Sequence, residues 1–561
     1  MKYIIVGGVA GGAGTAARVR RLDEQAEILL VEKGAHISYA NCGLPYYIGE
    51  VIQDRNKLFV QSAATFKNRF EVEVRTLSEV VSIDRQGKSL EIKDMNSGRV
   101  YRESYDKLVL SPGASPVRPP LSGIGEKGIF TLRNVQDTDA IKDYVKQFPG
   151  GRVVIVGGGF IGLEMAENLH GLGMQITVVE MGDQILAPAD FPLAAMAQQH
   201  LRDKGIDLRL RAAVAGFSRG TMGLDVHLAD GTSLQAEVVL LSIGVKPEGR
   251  LARECGLPTG KTGGILVNEY LQTADPDIYA VGDVIEFENP LTGQIMPTYL
   301  AGPANKQARI CANNMVLGNR QTYKGSVNTA IVQLFDLTLA VTGVTSKQLT
   351  AAGIDHRVST THSGSHAGYY PGGSQLSIQI CFAPGSGRLL GAQVIGKSGV
   401  DKRIDVLSSL IQRQGTIYDL MEFEHAYAPP YSSAKDPLNM AGFVADNILS
   451  GKLFVVPWSK TRELGASDFL LDVREGSEYA AGHIPGAVNI PMEELRNRLE
   501  DIPADKTIYI YCQIGLRGYL AQRILLQRGF GRVFNISGGF LLWNICMRES
   551  GWIEKKAPAM A

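Results

Sequence analysis

Val153-Val-Ile-Val-Gly157-Gly-Gly159-Phe-Ile-Gly162 runs from four apolar β-formers into a glycine-spaced turn and then a helical pattern. Glycines at these spacings let the backbone close on a pyrophosphate, while the following helix offers free N–H groups and a positive dipole end. The next apolar run, Ile176 to Val179, leads into Glu180, where a carboxylate can accept from a ribose hydroxyl. A carboxylate there also repels a 2′-phosphate, and Met181 and Gly182 supply no arginine, so NADH is expected over NADPH. Glu164 lies early in the helix, with two readings: a group that positions the nicotinamide, or a solvated first-turn glutamate.

A looser copy opens the chain. Tyr3-Ile-Ile-Val-Gly-Gly-Val-Ala-Gly-Gly places Gly7, Val9 and Gly12 at the three fingerprint positions, with Gly8 beside the first. The valine makes the match imperfect, but Glu32, followed by Lys33, sits about 20 residues on, at the ribose position. Apolar runs bounded by glycine recur at Tyr3–Val6, Glu27–Val31, Lys107–Leu110, Arg152–Val156, Gln175–Val179 and Val238–Leu241. Helix-like stretches such as Gly12–Leu22 and Ile161–Leu172 separate some of them, which predicts parallel, doubly wound sheets. From about Ser326 to Gly451, alternating stretches such as Leu376–Phe382 predict antiparallel strands.

The 561 residues carry 57 basic and 57 acidic side chains, so a generic nucleic-acid or polyanion binder is not expected. Apolar runs stay short of the ~20 residues that span a bilayer. The N-terminus reads as a strand, not a signal peptide. Six scattered cysteines without CxxC spacing argue against zinc, any other metal site or a disulfide framework, and fit a reducing cytoplasm. Cys255, Cys311, Cys381 and Cys546 read as small buried hydrophobes. Cys42, in SYANCGLPY, and Cys512, in YCQIGLRG after the apolar run Thr507–Tyr511, sit where a thiolate could be held.

With both fingerprints, the Leu108-Val-Leu-Ser-Pro-Gly-Ala segment and the Ile-Tyr-Ala-Val-Gly-Asp283 segment, residues 1–450 resemble the pyridine nucleotide-disulfide oxidoreductases. The resemblance implies an α/β architecture of two doubly wound dinucleotide-binding domains and an α+β dimerisation domain. FAD would occupy residues 1–150 and 251–325, NAD residues 151–250, and the dimerisation domain residues 326–450. It implies a homodimer. Asp283 would meet the flavin ribityl chain, with Ser111 and Gly113 on the FAD side and Gly244 on the NAD side.

The subgroup turns on Cys42. Members with a CxxxxC pair carry a second cysteine where this chain has Tyr47, so Cys42 must cycle through a mixed disulfide, persulfide or sulfenic acid. SYANCGLPY resembles coenzyme A-disulfide reductases and related persulfide and polysulfide reductases, which implies coenzyme A as a ligand. Ser38, Asn41, Asn305 and Lys435 would contact substrate; Arg18, Arg21 and Arg69 would pair with phosphates or form a solvated helix face. Tyr369 and Tyr427 resemble tyrosines that the family brings to the thiol from the partner subunit. Rival readings are a plain coenzyme A-disulfide reductase, an NADH oxidase or peroxidase cycling Cys42 as sulfenic acid, and a non-catalytic redox sensor.

Leu471-Asp472-Val-Arg474, Glu478-Tyr479, Gly482-His483-Ile-Pro and Cys512-Gln-Ile-Gly-Leu-Arg517 together resemble a rhodanese domain over 465–561, after a linker at 451–464. Consecutive N–H groups of the Cys512 loop would cup an anionic sulfur, Arg517 would add positive charge, and Asp472 and Arg474 would brace the loop. The implied activity is NADH-driven reduction of persulfide, polysulfide or coenzyme A disulfide, with sulfane sulfur carried on Cys512.

Overall fold

The computed structural model describes residues 1–221 and 223–551, so the last ten residues of the expected rhodanese segment lie outside it. The chain forms two compact units, residues 1–181 with 206–328, and residues 182–205 with the rest.

The first unit holds two five-stranded parallel sheets built alike. In one, Lys2–Val6 lies between Glu27–Val31 and Lys107–Leu110, with Ile278–Ala280 and Glu73–Arg75 outside them. In the other, Arg152–Val156 lies between Gln175–Val179 and Val238–Leu241, with Ile129–Phe130 and Asp207–Arg209 outside. The central strands are apolar and buried on both faces, as parallel sheets covered by helices require. The helices Ala10–Leu22 and Phe160–Gly171 start directly after the glycine turns.

Two expected boundaries move. The second sheet takes its edge strand from before residue 151, because Val239 and Leu240 pair in parallel with Ile129 and Phe130. The helix Phe191–Asp203, which lies within the expected NAD segment, groups with the second unit.

In the second unit, a five-stranded antiparallel sheet runs in the order 330–334, 337–343, 389–396, 375–382, 357–364. A separate parallel sheet has Thr507–Tyr511 near its centre, beside Asp468–Asp472 and Val533–Ile536. The stretch expected as a linker is ordered into this sheet: Val455–Val456 pairs with Asn535 and Ile536 and forms its edge. Short apolar pairs such as this give little periodicity to read.

Asp190 anchors the helix Phe191–Asp203. Its carboxylate accepts from Gln379 Nε2 and Gln393 Nε2 at 2.6 Å, and from the Ser346 and Lys347 backbone at 3.0 and 3.1 Å. Further along, Ala195 packs with Leu542 and Cys546 of the C-terminal helix Gly539–Glu549, and Gln198 donates to Glu549 at 3.0 Å. Substituting Asp190→Ala strips partners from two buried amides, so a loss of about 3 kcal/mol is expected, read as an earlier urea transition.

Candidate active site

The two nucleotide turns repeat each other atom for atom in their main contacts. Gly7 N–H donates to Val31 O and Gly157 N–H to Val179 O, both at 2.8 Å. Both glycines have left-handed φ, +100° and +107°, and a Cβ on either would sit 2.1–2.3 Å from the carbonyl oxygen of Ser111 or Ser242. The ribose carboxylates are held in the same way. Glu32 accepts from Gly8 N at 2.7 Å and Glu180 from Gly158 N at 2.8 Å. A Cβ at Gly12 or Gly162 would strike the carbonyl of Gly7 or Gly157, whereas one at Gly159 or Gly244 would meet open space. These bare backbone surfaces at helix starts fit a dinucleotide at each turn. Lys33 turns aside, pairing with Glu79 at 3.0 Å. Gly113, at φ +79°, packs under Arg133, whose guanidinium lies 3.7 Å from Asp283. Burial raises the Asp283 pKa, and Arg133 opposes that rise.

Cys42 lies in a single 3₁₀ turn, Asn41–Gly43, ahead of the short helix Leu44–Ile48, and the residue is exposed. Its surroundings are acidic: burial first, then Glu164 and Asp283, push the thiol above its ordinary pKa. Glu164 is not a solvated first-turn residue. Burial raises its carboxyl to about 7, and Tyr46 Oη donates to it at 3.5 Å. The same carboxylate, after burial, helps push Tyr46 up to about 12. Tyr46 therefore joins the site, although the sequence offers it only as part of the Cys42 motif. Asn41 Oδ1 is buried without a hydrogen-bond partner. Ser38 adopts a left-handed φ of 47° and donates its N–H to Gly8 O at 2.8 Å, which ties the cysteine segment to the first turn.

Arg18 donates to Asn313 Oδ1 at 2.9 Å, and Arg21 to the Ala17 carbonyl. Burial, then Arg309 and Arg21, lower the Arg18 pKa. Arg309, from the helix Ala301–Leu317 that also carries Asn305, is a further cation of this group that sequence reasoning missed. Arg69 is exposed on the helix Ala63–Phe70.

In the second unit, Tyr369 and Tyr427 hydroxyls are hydrogen-bonded at 2.8 Å, and both rings are exposed. Lys435 is exposed next to Asp436, which is buried against Arg403 at 2.8 Å. Cys512 is buried at the end of its strand, and its Sγ accepts the Gly515 N–H at 3.1 Å, as a sulfur-cupping loop requires. Arg474 is buried on Asp472 at 2.7 Å and reaches the Gly482 carbonyl and Gln513 Oε1, bracing both sides of the loop. The Phe540 and Leu541 N–H groups hold the Cys512 and Gln513 carbonyls at 2.8 and 3.0 Å. Arg517 is shared between two partners: Glu478 holds it in a bidentate pair at 2.6 and 2.8 Å, and Cys512 lies within its electrostatic reach.

These features define a two-dinucleotide oxidoreductase with a sulfur-loop module. Residues 1–304 match the pyridine nucleotide-disulphide oxidoreductase model, 329–437 its dimerisation domain, and 459–546 the rhodanese-like domain; the chain belongs to this oxidoreductase family. A coenzyme A disulfide reductase of Staphylococcus haemolyticus is 34% identical over 447 residues, covering 80% of this chain and all of that protein. The crystal structure of reduced Bacillus anthracis CoADR-RHD is 45% identical, covers 98% of both chains and has a TM-score of 0.95. A NAD-dependent persulfide reductase from A. fulgidus is 36% identical, covers 97% of this chain and 100% of its own, and has a TM-score of 0.91.

Two outcomes follow from the geometry. Glu180→Arg is expected to shift the NADH/NADPH ratio of kcat/KM toward NADPH by at least about tenfold, measured by steady-state kinetics. Glu164→Gln removes a carboxylate whose charge disfavours the nearby thiolate. The alkylation midpoint of Cys42 with iodoacetamide should therefore fall by about 1 unit. Below pH 7, where Glu164 is increasingly protonated, wild type and variant should converge.

Proposed function

We propose that this enzyme uses NADH to reduce coenzyme A persulfide, polysulfide or coenzyme A disulfide through Cys42, and carries sulfane sulfur on Cys512. The observation that carries the reading is the pairing of two unlike free cysteines: all six are free, one opens on the Glu164–Tyr46 site, and another is cupped by a rhodanese-type loop. The likeness to a coenzyme A disulfide reductase and to a persulfide reductase supports both halves.

The Gly7 turn, Glu32 and Asp283 would hold FAD, which would supply two-electron chemistry between NADH and the oxidised form of Cys42. Cys42 thiolate attacks the outer sulfur of RS–SH, the S–S bond breaks and RS⁻ leaves. The Cys42–S–SH so formed takes two electrons that originate in NADH, with protons, to return to thiol and release H₂S. Asn41 Oδ1, without a protein partner, is free to take a hydrogen bond from substrate. Glu164, raised to about 7, is tuned to hold or release a proton beside the thiol near neutral pH. The Tyr369–Tyr427 pair, contributed across a homodimer, stabilises the leaving thiolate. Arg18 and Arg21, with Arg309, hold the phosphates. For a persulfide the balance is RS–SH + NADH + H⁺ giving RSH, H₂S and NAD⁺. Six free cysteines suit a reducing cytoplasm, and no helix among the described residues is long and apolar enough to cross a membrane.

The test measures NADH consumption and sulfide release by wild type, Cys42→Ser and Cys512→Ser with each acceptor and with oxygen. Cys42→Ser should abolish both signals, whereas Cys512→Ser should keep coenzyme A disulfide turnover. Unchanged persulfide turnover in Cys42→Ser would defeat the mechanism. Rapid oxygen turnover without sulfide release would favour the oxidase.

A further inference from the structure

A groove of about 560 Å³ opens in the second unit between the loop 362–375 and Ile514, two residues past Cys512. No lysine, arginine, aspartate or glutamate lines it among the described residues. Its wall is backbone-rich, and a Cβ at Gly368 or Gly372 would project into open space. Ser363, Ser374 and Gln375 add uncharged hydrogen-bonding groups. His362 is buried at the groove, its Nδ1 bonded to Ser377 at 2.7 Å and its Nε2 without a hydrogen-bond partner of normal geometry. Burial drives its pKa down to about 4, against an opposing contact with the Gly538 backbone, so the ring is neutral near pH 7.

The mouth of the Cys512 loop has matching chemistry. Ile514 and Leu516 are 38% and 59% exposed, and Leu520, one helical turn on, is 44% exposed. The charge here is net negative. Glu478 occupies Arg517, Glu475 lies 4.0 Å from the same guanidinium, and Glu493 is close enough to Glu475 to raise its pKa. Two carboxylates thus face one arginine and a third lies beside Glu475, and charges closer than the roughly 8 Å screening length are not screened out by salt.

We propose that this groove is the sulfur-donor entrance to Cys512, taking persulfides of uncharged, chain-like thiols and turning away thiosulfate and similar small dianions. The proposal rests on the reading of Cys512 as a sulfur carrier. In the step, Cys512–S⁻ attacks the outer sulfur of RS–SH. The RS–S bond breaks, the new bond gives Cys512–S–SH, and RS⁻ leaves with the electron pair, so no oxidant is consumed. The apolar rim and the backbone amides receive the R group, while Glu475, Glu478 and Glu493 repel a donor that carries two charges next to its sulfur.

The test uses the full-length Cys42→Ser protein without NADH, so that sulfur reaching Cys512 stays there. Gain of one sulfur atom on the Cys512 peptide is timed by mass spectrometry with N-acetylcysteamine persulfide or thiosulfate as donor. The neutral carrier should load at least about 30-fold faster, and raising salt should speed thiosulfate alone. Glu478→Gln, which frees Arg517 and can still cap its helix, should raise thiosulfate loading by about tenfold. Glu493→Gln, on the surface, should act in the same direction. Equal loading by both donors, or no gain for thiosulfate in either variant, would overturn the donor selection and leave the carrier reading intact. Failure of every donor to load Cys512 would overturn both.

Discussion

Two glycines that leave no room for a Cβ govern the nucleotide-binding half of this protein. At Gly7 and Gly157 the chain passes so close to the carbonyl of the neighbouring strand that only hydrogen fits, and φ is left-handed at both. That one constraint sets the direction of each following helix. It also presents the next N–H, of Gly8 or Gly158, to the carboxylate that closes the turn. The strand order, the helix start and the ribose carboxylate all hang from it. The second fingerprint glycine is a different matter, since Val9 replaces it in the first turn without changing the backbone hydrogen bonds.

The two sulfur centres are built on opposite principles. Around Cys42 the protein supplies burial and acid: after desolvation, the half-buried Glu164, which Tyr46 hydrogen-bonds, and Asp283 favour the neutral thiol. Such a site keeps a proton close to the sulfur, which suits a cysteine that must alternate between attack and release. Around Cys512 the protein supplies the oriented Gly515 N–H, with the Arg474–Asp472 and Arg517–Glu478 pairs beside the loop and Arg517 in electrostatic reach of the sulfur. Stabilisation there comes from dipoles fixed in place, which hold a thiolate and a persulfide alike.

Local grammar was legible in the sequence. Six parallel strands fall on the six apolar runs, and Thr507–Tyr511 and the Cys512 loop lie where the motif put them. Residues that act through distant partners were not legible. Glu164 looks like an ordinary first-turn glutamate until Tyr46, 118 residues away, is seen against it. Arg517 reads as added positive charge beside Cys512, and nothing in the motif shows that Glu478, 39 residues earlier, pairs with it. The boundaries at 150/151 and 451–464 shifted for a related reason: strands of two residues carry no period, and only pairing with a longer strand reveals them.

The helix Phe191–Asp203 gives the C-terminal module an unexpected standing. Its apolar face lies under the last helix, Phe191 packs against Trp458 with ring centroids 5.8 Å apart, and Gln198 is bonded to Glu549. The coenzyme A disulfide reductase of Staphylococcus haemolyticus aligns over its whole length within 80% of this chain, so that relative has no counterpart to the rest. Here the added module has been absorbed rather than appended. Cutting it away would bare a greasy helix that belongs, by sequence, to the host enzyme. Host and addition share one apolar cluster along this helix, so removing either would expose the other there.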